Sequence, residues 1–358
     1  MDSRDRTRVV VCLDGMDPAY LAATDTPGWD AVAAEGAAGE CDCVVPSLTN
    51  VNNVSIVTGS FPADHGVTGN TYYDPDRGDL VYMEDPAYVR CETRLQAFAA
   101  AGETVAALVA KDKLRRMVGR GCAVAASAED PPAALVEAVG PPPDIYSGEA
   151  SGWLLDAALH VLDDLCPDVL YVSTTDVVPH KHAPTEDRAR AWVERLDEGL
   201  AALHDRGVDL VATADHGMNR KSVRVDLDAV AERAGVDATV VRLIRDRHTY
   251  HHRNLGGAAY VYSHDGSGGD WLTDVPGVEA VLPRDDAAQR FRLAPDRIGD
   301  YLVLGDPDTV FGPVEGGVRA PVDLRTHGSH HERTVPYVTT RDVELRYNVE
   351  AFAALDNP

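Results

Sequence analysis

The sequence predicts an α/β fold: a doubly wound, mainly parallel sheet flanked by helices, with a smaller α+β cap inserted late in the chain. Three observations predict it. First, RVVVCLD (8–14), DVLYVSTTD (168–176) and VDLVATADH (208–216) are short β-rich apolar runs of the kind that fill buried parallel strands, and each ends on or beside a carboxylate. Second, EDRARAWVERLDEGLAALHDRG lies between the last two runs. Its Trp192, Leu196, Leu200 and Leu203 recur at helical spacing and its Gly207 suits a helix end, which makes a strand, helix, strand unit. Third, the chain changes character over 226–310, through RLIRDRHTYHHRNLGG, SHDGSGGDW and FRLAPDRIGDYLVLGD. That segment is expected to be the cap, and 1–225 with 311–358 the core.

The other elements fit this plan. ETVAALVAK (103–111) reads as a strand, SGWLLDAALHVLDDL (151–165) as a helix, and PPPD (141–144) as a connecting loop. PSLTNVNNVSIVTG (46–59) leads from a polar lip into a helix-like run. The leading MDSRDRTR passes into VVVCL and then Asp14, an apolar stretch too short for a signal peptide or a membrane span. With 358 residues, 44% of them hydrophobic, and no internal repeat, the chain is long and apolar enough to bury a sizeable core.

A formal net charge of −25 would repel a phosphate polymer, so no nucleic acid polymer is expected as partner, and no membrane. Lysine is scarce: Lys111, Lys113, Lys181 and Lys221 are the whole complement, against an abundance of Arg, Asp and Ala. That balance matches a halophilic proteome. Cys12, Cys41, Cys43, Cys91, Cys122 and Cys166 form no CxxC pair, which predicts free thiols in a reducing, cytoplasmic compartment. Oligomeric state is left open, a homodimer included.

In a doubly wound sheet the ligand site lies beyond the carboxyl ends of the strands, where these acids fall. A single Asp after a strand usually forms a turn or caps a helix. Three such acids, two with histidines, point to a site: Asp14, Asp176 with His180, and Asp215 with His216, joined by the late His327 of RTHGSHHE. Mixed Asp and His donors favour zinc or a neighbouring divalent ion such as Mn2+, and six are too many for one tetrahedral ion. Two divalent metal ions are expected, with three ligands each and an open position apiece. Thr49, set among asparagines before a helix, reads either as an N-cap or as a hydroxyl activated by a metal for nucleophilic attack; the metal donors favour the nucleophile.

In order along the chain, Asp14, the TN pair at Thr49, Asp176-x3-His180, Asp215-His216-Gly217 and His327-Gly328 resemble the alkaline phosphatase superfamily in its nucleotide pyrophosphatase/phosphodiesterase branch. The resemblance implies a two-zinc hydrolase, with one ion on Asp176, His180 and His327, the other on Asp14, Asp215 and His216, and a phospho-Thr49 intermediate. A finer resemblance, to the phosphonoacetate hydrolase family, rests on TNxNN (49–53), HGVTGNTYYD, AKDKL, HKHAP and ADHGMN. It implies cleavage of a C–P bond in a small anionic phosphonate, with Lys111 and Lys113 holding the substrate carboxylate and Asn70 and Asn52 the phosphoryl oxygens.

Rival readings are a nucleotide phosphodiesterase or phosphomonoesterase using the same metals, with Tyr72 and Tyr73 available for a nucleobase, and an inactive metal-stabilised binding protein. His182 is open between a role beside the site and a turn. His65 is expected to be structural. His251, His252, His330 and His331 are set aside, because adjacent histidines on a strand face opposite ways.

Overall fold

The computed structural model describes residues 6–248 and 250–356; residues 1–5 of the charged leading stretch lie outside it. The architecture grows from three strands in level register. Arg8–Cys12 pairs in parallel with Val169–Ser173 on one side and with Asp209–Thr213 on the other, so that Cys12, Ser173 and Thr213 stand side by side. The chain therefore leaves all three strands at the same edge, and Asp14, Asp176 and Asp215 follow within three residues. Each strand is buried almost throughout, as expected of parallel strands covered on both faces.

Val105–Val109 and Val124–Ser127 extend the sheet in parallel beyond Val169–Ser173. On the other side Thr334–Thr339 joins Asp209–Thr213 antiparallel, and Ala37–Asp42 closes that edge, completing seven strands. Two groups of helices cover the sheet. Glu149–Leu165 and Asp187–His204 pack together, the latter through the predicted Trp192, Leu196, Leu200 and Leu203. Thr49–Thr58, Arg94–Ala100 and Ala351–Asp356 form the other group.

Within 226–310 the chain builds a four-stranded antiparallel sheet, ordered Ala238–Arg242, Ala258–Ser263, Tyr301–Gly305, Val278–Pro283. It has a small core of its own, including Ala259, Val261, Leu272 and Val303. A three-stranded sheet, Thr309–Phe311, Asn219–Val225 and Arg319–Thr326, leads to His327. Among the described residues no helix is long and apolar enough to cross a membrane.

Candidate active site

The strand ends converge on Thr49. Leu48 is the N-cap residue and Thr49 the first residue of the helix Thr49–Thr58, so the hydroxyl is not occupied in capping. It turns instead into the acid cluster, with Oγ1 3.2 Å from His216 Nε2 and 3.5 Å from Asp14 Oδ1. Backbone bonds lock the loops behind it: the Gly15 N–H donates to Asp215 Oδ1 at 3.1 Å, and the Asp14 N–H to Thr174 Oγ1 at 2.9 Å. Gly15 has φ +75°, and a Cβ there would lie 2.8 Å from the Cβ of Asp176, so only glycine lets the two loops meet.

All six predicted donors come together. Asp14, Asp215 and His216 offer ligand atoms within 4.8 Å of one another. Asp176 is approached by His180 Nε2 at 2.9 Å and His327 Nε2 at 3.6 Å. The tautomers fit metal binding. His180 Nδ1–H donates to the Arg325 carbonyl, His327 Nδ1–H to that of Ser47 and His216 Nδ1–H to that of Gly217, at 2.7, 2.7 and 3.0 Å. Each bond fixes a ring and turns its Nε2 toward the cluster.

The charge balance makes the same point. Asp14, Asp176 and Asp215 are at most 1% exposed. Burial, with Asp176 and Asp215 nearby, pushes the Asp14 carboxyl well above the usual range. Burial also opposes the charge of Asp176, yet His251, His180 and Lys111 outweigh it and hold that carboxyl well below the usual range. At His216 burial is likewise overcome, by Asp215 and Asp14, and the imidazole is pushed up to about 9. Three buried carboxylates need countercharge, and Lys111, with Nζ 3.9 Å from Asp176 Oδ1, supplies one unit. Three carboxylates and three correctly oriented imidazoles fit zinc-type divalent ions.

A small open cavity lies beside Thr49, lined by Asn50, Asn70, Lys111, Lys113, Asp246 and His252 among others. Asn70 accepts from Asn50 Nδ2 at 2.6 Å and donates to the Ile244 carbonyl at 3.1 Å, which leaves one amide N–H for a ligand. Lys111 is charged: burial disfavours the ammonium, but Asp176 and Asp14 outweigh it. Lys113 also lines the cavity, but it is paired with Asp246, whose carboxyl the ammonium holds well below the usual range against the cost of burial.

The geometry corrects several expectations. Asn52 does not reach the cavity. It is fully buried, with Oδ1 accepting from the Val44 N–H at 2.7 Å and from Asn348 Nδ2 at 3.2 Å, and Nδ2 donating to the Val44 carbonyl at 3.0 Å. Its amide is spent on tying the start of the helix Thr49–Thr58 to Val44 and to Asn348. The neighbour Asn53 does touch the site, donating to Asp215 Oδ2 at 3.1 Å. His182 points outward to Glu186 at 2.9 Å and is a turn residue.

His251 and His252 were set aside on strand geometry, but they lie on a turn, followed by Arg253 and Asn254 in left-handed backbone, and both face inward. His251 Nε2 is 3.0 Å from Asp176 Oδ1, an added donor from the segment 226–310. His252 Nδ1 accepts the Asn254 N–H at 2.9 Å, so its Nε2 carries the proton and serves the cavity as a hydrogen-bond donor. The HTYHHRN motif was the available signal. Tyr72 and Tyr73 stay away from the cavity: Tyr73 packs on Tyr262 and His264, and Tyr72 lies near Arg297.

Comparison with known proteins agrees with this geometry. The sequence model of the type I phosphodiesterase / nucleotide pyrophosphatase family matches residues 8–331. A phosphonoacetate hydrolase from Sinorhizobium meliloti 1021, solved in complex with phosphonoformate, is 34% identical, with a TM-score of 0.91 over 99% of this chain and 96% of that one. Murine ectonucleotide pyrophosphatase / phosphodiesterase 5 superposes with a TM-score of 0.70 over 98% of this chain and 94% of that one; at 16% identity this likeness shows the fold alone. An ectonucleotide pyrophosphatase/phosphodiesterase of Caenorhabditis elegans is 21% identical over 95% of this chain, which spans 44% of that relative's length. The alignments and the site agree: this chain shares its fold with the solved phosphonoacetate hydrolase and gathers acid and imidazole side chains that could hold metal ions.

Proposed function

Since this chain belongs to the type I phosphodiesterase / nucleotide pyrophosphatase family, we propose that it hydrolyses phosphonoacetate to acetate and phosphate through a phospho-Thr49 intermediate. The observation that carries the reading is the cavity wall. Beside Thr49 stands the charged Lys111, and among the described residues the lining contains no Tyr, Trp or Phe on which a nucleobase could stack. Its polar lining, with two ammonium groups and two amide side chains, suits a compact anion. The 34% identity to a phosphonoacetate hydrolase supports the same substrate.

Two zinc-type ions, on Asp176, His180 and His327 and on Asp14, Asp215 and His216, would supply Lewis acidity toward the phosphoryl group and lower the pKa of the attacking hydroxyl. The chain's own residues do the rest. Thr49 Oγ1 forms a bond to phosphorus as the P–C bond breaks, and the electron pair of that bond passes to carbon. Lys111 faces the substrate carboxylate, over which the charge spreads as an enolate-like acetate, and the proton given up by Thr49 is restored on carbon through solvent. Asn70 and His252 donate to phosphoryl oxygens, and the helix N-terminus at Thr49 favours their negative charge. Water then hydrolyses phospho-Thr49, releasing phosphate and restoring the hydroxyl. In this reading 226–310 is the cap over the core 1–225 and 311–358, and it lends Ile244, Asp246 and His252 to the cavity.

Phosphate release should be measured with zinc-loaded protein in high-salt, reducing buffer, with phosphonoacetate and a bis-aryl phosphodiester compared side by side. Preference for phosphonoacetate is expected. Preference for the diester would move the substrate to the phosphodiesterase branch and leave the threonine mechanism standing.

A further inference from the structure

Away from the cavity, Glu279, His330 and His331 form a separate cluster, with ligand atoms within 4.8 Å of one another. The carboxylate comes from the strand Val278–Pro283 of the four-stranded sheet, and the imidazoles from the turn His330–Glu332 just past His327.

Both halves are built to meet. Val278 pairs with Gly305 and Ala280 with Leu304, so Glu279 is the extra residue of a β-bulge. A bulge breaks the alternation of a strand and re-aims the side chain it carries. On the other side, Ser329 and Glu332 close a capping box around the histidine turn, and Glu332 is fixed from beneath by the fully buried Lys221 at 2.7 Å. On such a turn adjacent histidines converge. Their rings lie 4.1 Å apart at 37°, and both Nε2 atoms face the one carboxylate, that of His330 at 3.5 Å from Oε1 and that of His331 against Oε2.

We propose that Glu279, His330 and His331 bind a third divalent metal ion, of the zinc, nickel or cobalt class, which clamps the four-stranded sheet to the turn behind His327. Two imidazoles and one carboxylate select those ions over magnesium or calcium, which prefer all-oxygen sites. The partial exposure of all three side chains leaves room for water to complete the coordination and for the ion to exchange.

The test is metal content. Full-length wild type, Glu279→Gln and the double variant His330→Asn/His331→Asn are stripped with chelator, dialysed against zinc and counted by plasma mass spectrometry. Both variants should hold one zinc fewer per chain than wild type. Hydrolysis of an aryl phosphate should stay within about twofold, since none of the three residues lines the cavity. The count is a difference, so it stands whether or not the main centre holds two ions. Equal zinc in all three proteins would overturn the proposal and leave the cluster an ion pair. So would an unchanged visible spectrum between cobalt-loaded wild type and Glu279→Gln.

Discussion

Thr49 and Lys111 separate chemistry from specificity. Thr49→Ala removes the hydroxyl but no metal donor, so zinc content and fold should persist while turnover falls by about three orders of magnitude or more, read by phosphate release and metal analysis. Retention of most activity would remove Thr49 as nucleophile. Lys111→Ala should impair phosphonoacetate cleavage far more than hydrolysis of an aryl phosphate, whose leaving group has no carboxylate; equal losses would place Lys111 on the phosphoryl group. Lys113→Ala should differ in kind, because it removes the ammonium that faces the buried Asp246 carboxylate, and a stability loss of about 1 to 3 kcal/mol in urea unfolding is expected alongside any kinetic effect. At this scale the sequence was most informative where residue type and chain position coincided, as in the six donors after strand ends. It was silent on Asn52, because a buried amide bonded to backbone and a free amide facing a ligand are the same letter.

The helix Thr49–Thr58 shows how an element carries the site. Its N-terminal part is tied down by Asn52 and Asn53, and its second turn by Ser55, whose Oγ bonds His65 Nε2 at 2.9 Å. Asn52→Ala leaves the buried Val44 N–H without its acceptor and removes a donor from the Val44 carbonyl, and should cost about 1 to 3 kcal/mol in chemical unfolding, with KM little changed in the folded fraction. His65 gives the element a pH dependence. Burial, reinforced by Arg297, lowers its pKa to about 3 from an ordinary value of 6.5. Between those values the unfolded chain binds the proton and the folded one does not, so stability is full above the higher value and falls with acid. From pH 7 to about pH 5 His65 alone should account for a loss of roughly 2 kcal/mol, seen as a smaller acid sensitivity in His65→Gln. An unchanged pH slope in that variant would show that His65 is protonated in the fold. Elements were legible where periodicity was strong, as with Asp187–His204. The turn carrying His251 and His252 was not, because a strand and a turn bearing the same letters differ only in backbone angles fixed by distant contacts.

For the whole molecule, alternating strands and helices revealed the parallel sheet, but nothing local marked Thr334–Thr339 as an internal antiparallel strand. Its Pro336 argues against such a place on general grounds. It is accommodated because the pairing with Asp209–Thr213 starts only at Tyr337, while the Pro336 carbonyl accepts from Thr213 Oγ1 at 3.1 Å. The net charge of −25 acts at this scale too. Self-repulsion is screened by ions, so the unfolding midpoint should rise as salt is raised from about 0.1 M to molar levels, where the screening length shrinks to a few ångströms. A flat response would deny the acidic surface any role in salt adaptation. The level register of the three acid-bearing strands bears on synthesis as well. The six candidate donors enter at residues 14, 176, 180, 215, 216 and 327, so a nascent chain carries the first acid long before the last imidazole leaves the ribosome. On the proposed two-ion reading, metal capture at this centre would follow completion of nearly the entire polypeptide, and a truncated product would lack part of the donor set.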